Sequence, residues 1–231
     1  MSLYDRNYNV AGASIDSTSS ENGLRTFVKQ TYQLFAASML AGTVGAYTGM
    51  NMAASISSFY WGFVILEIAL LIGLHFVKDK PALGLMFLFG FTFVTGLTLS
   101  PLLSTVLAVP GGAGIVTNAF FMTSVAFGWL SLFAMNTKHD FSALGQILFI
   151  TLIVVFVAGI INIFLGSPIL QLVIAGIAAV LFSFYILYDT QNIVKGRMDS
   201  PILGAVALYL DFFNLFVSLL QILLAFTGRD E

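Results

Sequence analysis

Seven apolar segments, each long enough to cross a hydrocarbon layer about 30 Å thick, recur along the chain near residues 28–49, 57–77, 82–107, 115–135, 143–165, 168–194 and 202–226. No other feature constrains the fold as strongly. In lipid every backbone amide must be satisfied within its own segment or barrel, so segments of this length predict helices. Composition agrees: 58% of the 231 residues are hydrophobic and 9% are charged, against about 25% charged in a soluble domain. The expected fold is an all-α integral membrane protein with seven transmembrane helices over residues 27–231, preceded by a polar, mobile cytoplasmic tail over residues 1–26. The expected partner along most of the surface is the lipid bilayer.

The breaks between segments carry recognisable punctuation. Ser167-Pro168 and Ser200-Pro201 read as N-cap plus first-turn proline. "VPGGAG" at 109–114 reads as a loop. Pro101 is expected to kink the third segment without ending it.

Charge gives an orientation. Arg6, Arg25, Lys29, Lys78, Lys80, Lys138, Lys195 and Arg197 fall on one side of a seven-span chain, and Arg229 alone falls on the other. The positive-inside rule then places the amino terminus in the cytoplasm and the carboxyl terminus outside. With a net charge of −2 and no basic patch, no nucleic-acid partner is expected. The absence of cysteine removes thiolate metal sites and thiol nucleophiles. His75 and His139, the two histidines, are too few for most zinc or di-iron centres. No cofactor is expected.

Four ionisable side chains lie well inside the spans: Glu67, His75, Asp189 and Asp211. An acid at the bilayer centre costs about 2.5–3.5 kcal/mol on insertion scales and marks a pathway or relay when it is kept. Asp189 lies six residues before Lys195, and Asp211 eight residues after Leu203. At 1.5 Å per residue both sit about 9–12 Å inside the cytoplasmic face. They lie on consecutive antiparallel helices, so they form a candidate carboxylate pair. Two such carboxyls cannot both ionise cheaply; sharing a proton, they would titrate as one unit near neutral pH. The pair also suits a hard cation such as Ca²⁺, bound transiently.

Asp211, Asn214, Ser218 and Gln221 form one polar stripe on the last helix. The stripe lines either a pore or a set of interhelical hydrogen bonds. Glu67 and Lys78, eleven residues apart, share a face, with Glu67 near mid-membrane and Lys78 at the cytoplasmic mouth. Lys78 is a candidate latch on the carboxylates, or an interfacial lysine that snorkels. His75 belongs with the interior polar residues.

"LYDTQNIV" at 187–194, "LYLDFFNLF" at 208–216 and, more weakly, "ILEIALLIGL" at 65–74 resemble segments of the Bax inhibitor family, the transmembrane Bax-inhibitor-motif group, in its bacterial form. The resemblance covers the chain from about Val28. It implies six helices packed around a central C-terminal seventh in a bacterial inner membrane. It also implies a pH-sensitive calcium leak in which Asp189 and Asp211 are a di-aspartyl sensor and gate. Glu67 matches the family glutamate, and Lys78 is nearest to an arginine that latches the sensor in some members. Lysine lacks the forked contact of arginine, so a latch here would be looser.

Other function classes fit less well. An intramembrane aspartyl protease would place its second aspartate in a GxGD motif, whereas Asp211 follows "LYL"; "PAL" at 81–83 opens the third segment and not the last. The expectation is therefore a non-enzyme. A non-conducting regulator of other membrane proteins and an H⁺-coupled cation antiporter remain as alternatives.

Overall fold

The computed structural model describes residues 3–77 and 80–227, with side chains from residue 21 onward. Eight α-helices are formed: α1 Leu3–Met50, α2 Ala53–Ser58, α3 Tyr60–Val77, α4 Pro81–Leu107, α5 Gly112–Asn136, α6 Gly145–Leu165, α7 Pro168–Val194 and α8 Pro201–Thr227. A single 3₁₀ turn, Ser142–Leu144, leads into α6. Strands are absent among the described residues. Of the expected polar tail, residues 1–26, residues 3–26 form the first part of α1, with side chains described only from residue 21.

Six helices, α3 to α8, are long and apolar enough to cross a membrane. They coincide with the last six expected segments. The first expected segment, 28–49, lies on α1 but does not join the six. Its apolar face is interrupted by Gln30, Thr31, Gln33, Ser38, Thr43 and Thr48, and it is carried into the bundle by packing rather than by hydropathy.

That packing is close. Small residues of α1 meet small residues of α4, so the two backbones touch. A Cβ on Gly45 would fall 2.1 Å from the Phe93 carbonyl oxygen, and one on Gly96 would fall 2.0 Å from that of Gly42. Farther along, a Cβ on Gly49 would meet Ser100 Oγ at 2.5 Å. Spacings of this kind let membrane helices approach until dispersion contacts and weak backbone interactions hold them.

Helix α8 is the most buried span and packs against α1, α4, α5 and α7; α3 lies mainly against α4, and α6 mainly against α7. A larger core joins Phe127, Phe182, Ile186, Leu208, Phe212 and Leu215, and a smaller one joins Leu74, Leu88, Phe91, Val206 and Tyr209. The outer surface is apolar, with Phe76, Phe121, Trp129 and Phe164 all exposed. Such a surface is stable only against lipid.

Local chemistry explains the helix ends. Ser167 Oγ accepts from Leu170 N at 3.3 Å, with Pro168 in the first turn. Ser200 Oγ accepts from Leu203 N at 3.2 Å, ahead of Pro201. Gly166, at φ 59°, ends α6 in the left-handed conformation that glycine tolerates best. Helix α4 runs through Pro101. The carbonyl that Pro101 cannot bond, that of Leu97, accepts from Ser100 Oγ at 2.7 Å, so the break in the ladder is repaired locally. The "VPGGAG" loop is shorter than expected, because α5 begins inside it at Gly112. The first hairpin holds the short helix α2, which the sequence pattern does not separate from the following span.

Candidate functional site

Asp189 and Asp211 come together. Asp189 sits one turn before the end of α7 and is 8% exposed; Asp211, in the first half of α8, is 3% exposed. The two carboxyls are within hydrogen-bonding reach of each other. Asp211 Oδ2 is buried with no hydrogen-bond donor among the described residues. A hydrogen bond between two carboxyls exists only when one of them carries a proton. Neither aspartate takes part in an ion pair among the described residues.

Uncharged polar groups surround the pair. The Asn192 side chain reaches Asp189, and the Tyr185 phenol lies near both aspartates. Beside them, Thr190 Oγ1 donates to Ser131 Oγ at 3.2 Å. The Tyr32 hydroxyl is buried next to Thr190 and Ser131 without a well-directed bond to either. Thus Tyr32 on α1, Ser131 on α5 and Thr190 on α7 meet at one buried place, and Asp189 on α7 meets Asp211 on α8. No group of three His, Cys, Asp or Glu side chains converges among the described residues.

The other expected site residues separate. Asn214 donates to Leu210 O at 2.8 Å and Ser218 donates to Asn214 O at 2.7 Å, each turned onto its own helix. Gln221 Oε1 accepts from Gln171 Nε2 at 2.7 Å, and Gln171 Oε1 accepts from Asn162 Nδ2 at 2.8 Å. The stripe on α8 therefore ends in an amide chain tying α6, α7 and α8 together at the end away from the carboxylates. Glu67 is half-buried and contacts Thr98 on α4, apart from the aspartates. His75 is exposed on α3 and not interior. Lys78 lies outside the described residues.

A clamp that sequence reasoning did not identify closes the adjacent end. Asp140, in the α5–α6 loop, takes a forked contact from Arg197, Nη1 to Oδ1 at 3.1 Å and Nη2 to Oδ2 at 2.8 Å, and a second cation, Lys195 Nζ, at 3.3 Å. Gln191, 1% exposed, donates to His139 O at 2.7 Å and accepts from Phe141 N at 2.7 Å. Arg197, with backbone bonds from Ser142, holds the Asp140 carboxyl far below the ordinary carboxylate range. Its contribution is therefore present throughout neutral pH and is lost only in strong acid; this clamp does not titrate between about pH 6 and 8. Asp140→Asn should raise amide hydrogen exchange in residues 139–142 by about tenfold. Being solvent-exposed, the pair should leave the melting temperature nearly unchanged. Unchanged exchange would show that Gln191 alone holds the loop.

Comparison with known proteins places this geometry. The family model described as inhibitor of apoptosis-promoting Bax1 matches residues 24–228. An uncharacterized protein of Campylobacter jejuni is 55% identical, covering 99% of this chain and 100% of the relative. An uncharacterized membrane protein of Vibrio cholerae is 35% identical, covering 93% and 96%. Inner membrane protein YbhL of Escherichia coli K12 is 32% identical, covering 87% and 92%. The match spans all six long apolar helices and both aspartate segments, and on that ground the chain belongs to the Bax inhibitor family, as a multi-pass membrane protein of bacterial type.

Proposed function

We propose that this protein is a pH-sensitive calcium leak of the bacterial inner membrane, gated by the proton that Asp189 and Asp211 share. The observation that carries this reading is the buried, unpaired carboxyl couple with an undonated Asp211 Oδ2. Loss of the shared proton puts two like charges side by side out of water, which is costly enough to move helices apart. The carboxylate oxygens of the couple are hard ligands suited to Ca²⁺. Among the described residues the Tyr185 phenol and the Asn192 amide lie near the couple, and neither aspartate is in an ion pair there. Ca²⁺ is the permeant ion and H⁺ the regulator; the protein performs no catalysis. The purified protein in liposomes should admit Ca²⁺ at a rate that changes between about pH 6 and 8. Uptake equal to that of protein-free liposomes at every pH overturns the leak.

The proposal includes α1 as a seventh span, with the others gathered around α8, the amino terminus inside and the carboxyl terminus outside. The eight-to-one division of Lys and Arg supports it, as does the close packing of α1 on α4. Fluorescent and phosphatase fusions should report opposite sides for the two termini. Termini on one side would reduce the crossing helices to the six of highest hydropathy.

A further inference from the structure

A second polar system crosses the bundle away from the aspartates. Glu67 Oε1 contacts Thr98 Oγ1, which lies 3.1 Å from Thr95 O. Thr95 Oγ1 is 2.8 Å from Thr92 O and 2.6 Å from the Tyr209 hydroxyl, which is itself 3.1 Å from Thr92 O. The ladder runs from half-buried Glu67 on α3, across α4, to Tyr209 on α8, where Thr92 and Tyr209 are buried.

Counting hydrogens favours a protonated Glu67. Thr98 has one hydroxyl hydrogen but two acceptors in reach. If Glu67 is ionised, that hydrogen goes to the carboxylate and the contact with Thr95 O has none. If Glu67 is protonated, its hydrogen goes to Thr98 Oγ1, that of Thr98 to Thr95 O, that of Thr95 to Thr92 O, and that of Tyr209 to Thr95 Oγ1. Four hydrogens then serve the five contacts, and only the 3.1 Å contact of the Tyr209 hydroxyl with Thr92 O has none; with Glu67 ionised, two contacts have none. Among the described residues no charge nearby favours the ionised form. The titratable groups facing Glu67 are the phenols of Tyr60 and Tyr209. Helix α4, against which α3 packs, has no acidic or basic residue along Pro81–Leu107, and α2 has none either. Residues flanking Glu67, Leu66 and Ile68, are exposed on the apolar outer surface.

From this hydrogen-bond ladder we infer that Glu67 is a proton-holding carboxylic acid at neutral pH, reachable from the lipid, and hence a modification site for hydrophobic carbodiimides. In that reaction the carboxyl proton moves to a carbodiimide nitrogen and a carboxyl oxygen adds to the central carbon. The O-acylisourea then rearranges to a stable N-acylurea, with no group leaving. This site stands apart from the aspartate couple and does not rest on calcium conduction.

The test is dicyclohexylcarbodiimide labelling of the full-length protein in liposomes, with the adduct located by peptide mass spectrometry. The expected adduct lies on Glu67, is absent in Glu67→Gln, and forms at pH 7 at a rate within tenfold of that at pH 5, after correction for reagent lifetime. An ordinary glutamate, titrating near 4.3, would lose nearly a hundredfold over that interval. Thr98→Val removes the acceptor for the Glu67 proton and should change the labelling rate at least threefold, whereas Asp189→Asn should leave it unchanged. No adduct on Glu67, a loss of tenfold or more by pH 7, or a Thr98→Val rate equal to wild type overturns the inference. The pH series on the unaltered protein keeps the test valid even where a variant folds poorly.

Discussion

Asp211→Asn should abolish the response of calcium flux to pH between about 6 and 8, and Asp189→Asn should do the same. Asparagine keeps the shape of the side chain and removes one carboxyl. The remaining acid then has no like-charged partner, and the energy that separates the protonated from the deprotonated couple disappears. Across two pH units an independent group changes its ionised-to-neutral ratio about a hundredfold, so the unaltered protein has ample range for a large response. The double variant should be little worse than either single one, because the two residues share one proton and act as a unit. The two histidines give the controls. His75 is exposed on α3 and His139 lies in the α5–α6 loop, and substituting either should leave the response intact. The Asp140 clamp, held ionised by Arg197, supplies no titration there. Flux measured from proteoliposomes that keeps its full pH response in the Asp211→Asn protein would remove the sensor, whatever the direction of gating.

The parts of this site that were legible in the sequence are those whose cost shows locally. An aspartate inside twenty apolar residues is conspicuous on its own, and antiparallel depth arithmetic was enough to pair Asp189 with Asp211. The caps at Ser167 and Ser200 were legible for the same reason, since capping is decided within four residues. Neutral partners were not legible. Tyr32, Ser131 and Thr190 cost little to bury, and nothing in their spacing says that α1, α5 and α7 meet there. The stripe on α8 misled for a related reason. Helical periodicity places Asn214, Ser218 and Gln221 on the face of Asp211, but two of them satisfy their hydrogens on their own backbone and Gln221 is taken by Gln171. Asp140 and Arg197 are 57 residues apart, in loops where the sequence shows charge but not proximity. His75, polar inside an apolar run, was expected in the interior; its place on α3 faces outward, because that helix buries only Leu74 fully in its last turns.

Helix α1 shows how packing substitutes for hydropathy, and Gly96→Ala measures it. A Cβ at Gly96 would stand 2.0 Å from Gly42 O and 2.8 Å from Ala46 N. Both are backbone atoms, so no side chain can rotate away and the two helices must separate. Overpacking of this kind costs about 1–3 kcal/mol, which for a chain of this size lowers the melting temperature by about 2–4 °C per kcal/mol. Gly128→Ala on α5 and Gly159→Ala on α6 are matched controls, since a Cβ at either position meets nothing within 4 Å. Both should be neutral or slightly stabilising, because alanine is the better helix former. The same displacement would reach α8. Gly42 sits against the Tyr209 hydroxyl, where a Cβ would approach to 2.7 Å, and Tyr209 lies two residues before Asp211 on α8. Pushing α1 outward from α4 should therefore move Tyr32 away from Ser131 and from Thr190, the residue next to Asp189 in sequence on α7. Gly96→Ala is expected to lower the unfolding temperature, followed by the fluorescence of Trp61 and Trp129, and to raise calcium leak at every pH together. A Gly96→Ala protein as stable as the Gly128→Ala control would mean that α1 is not pressed on α4 within the membrane. The first segment would then be a peripheral helix, and the remaining six would form the transmembrane unit by themselves.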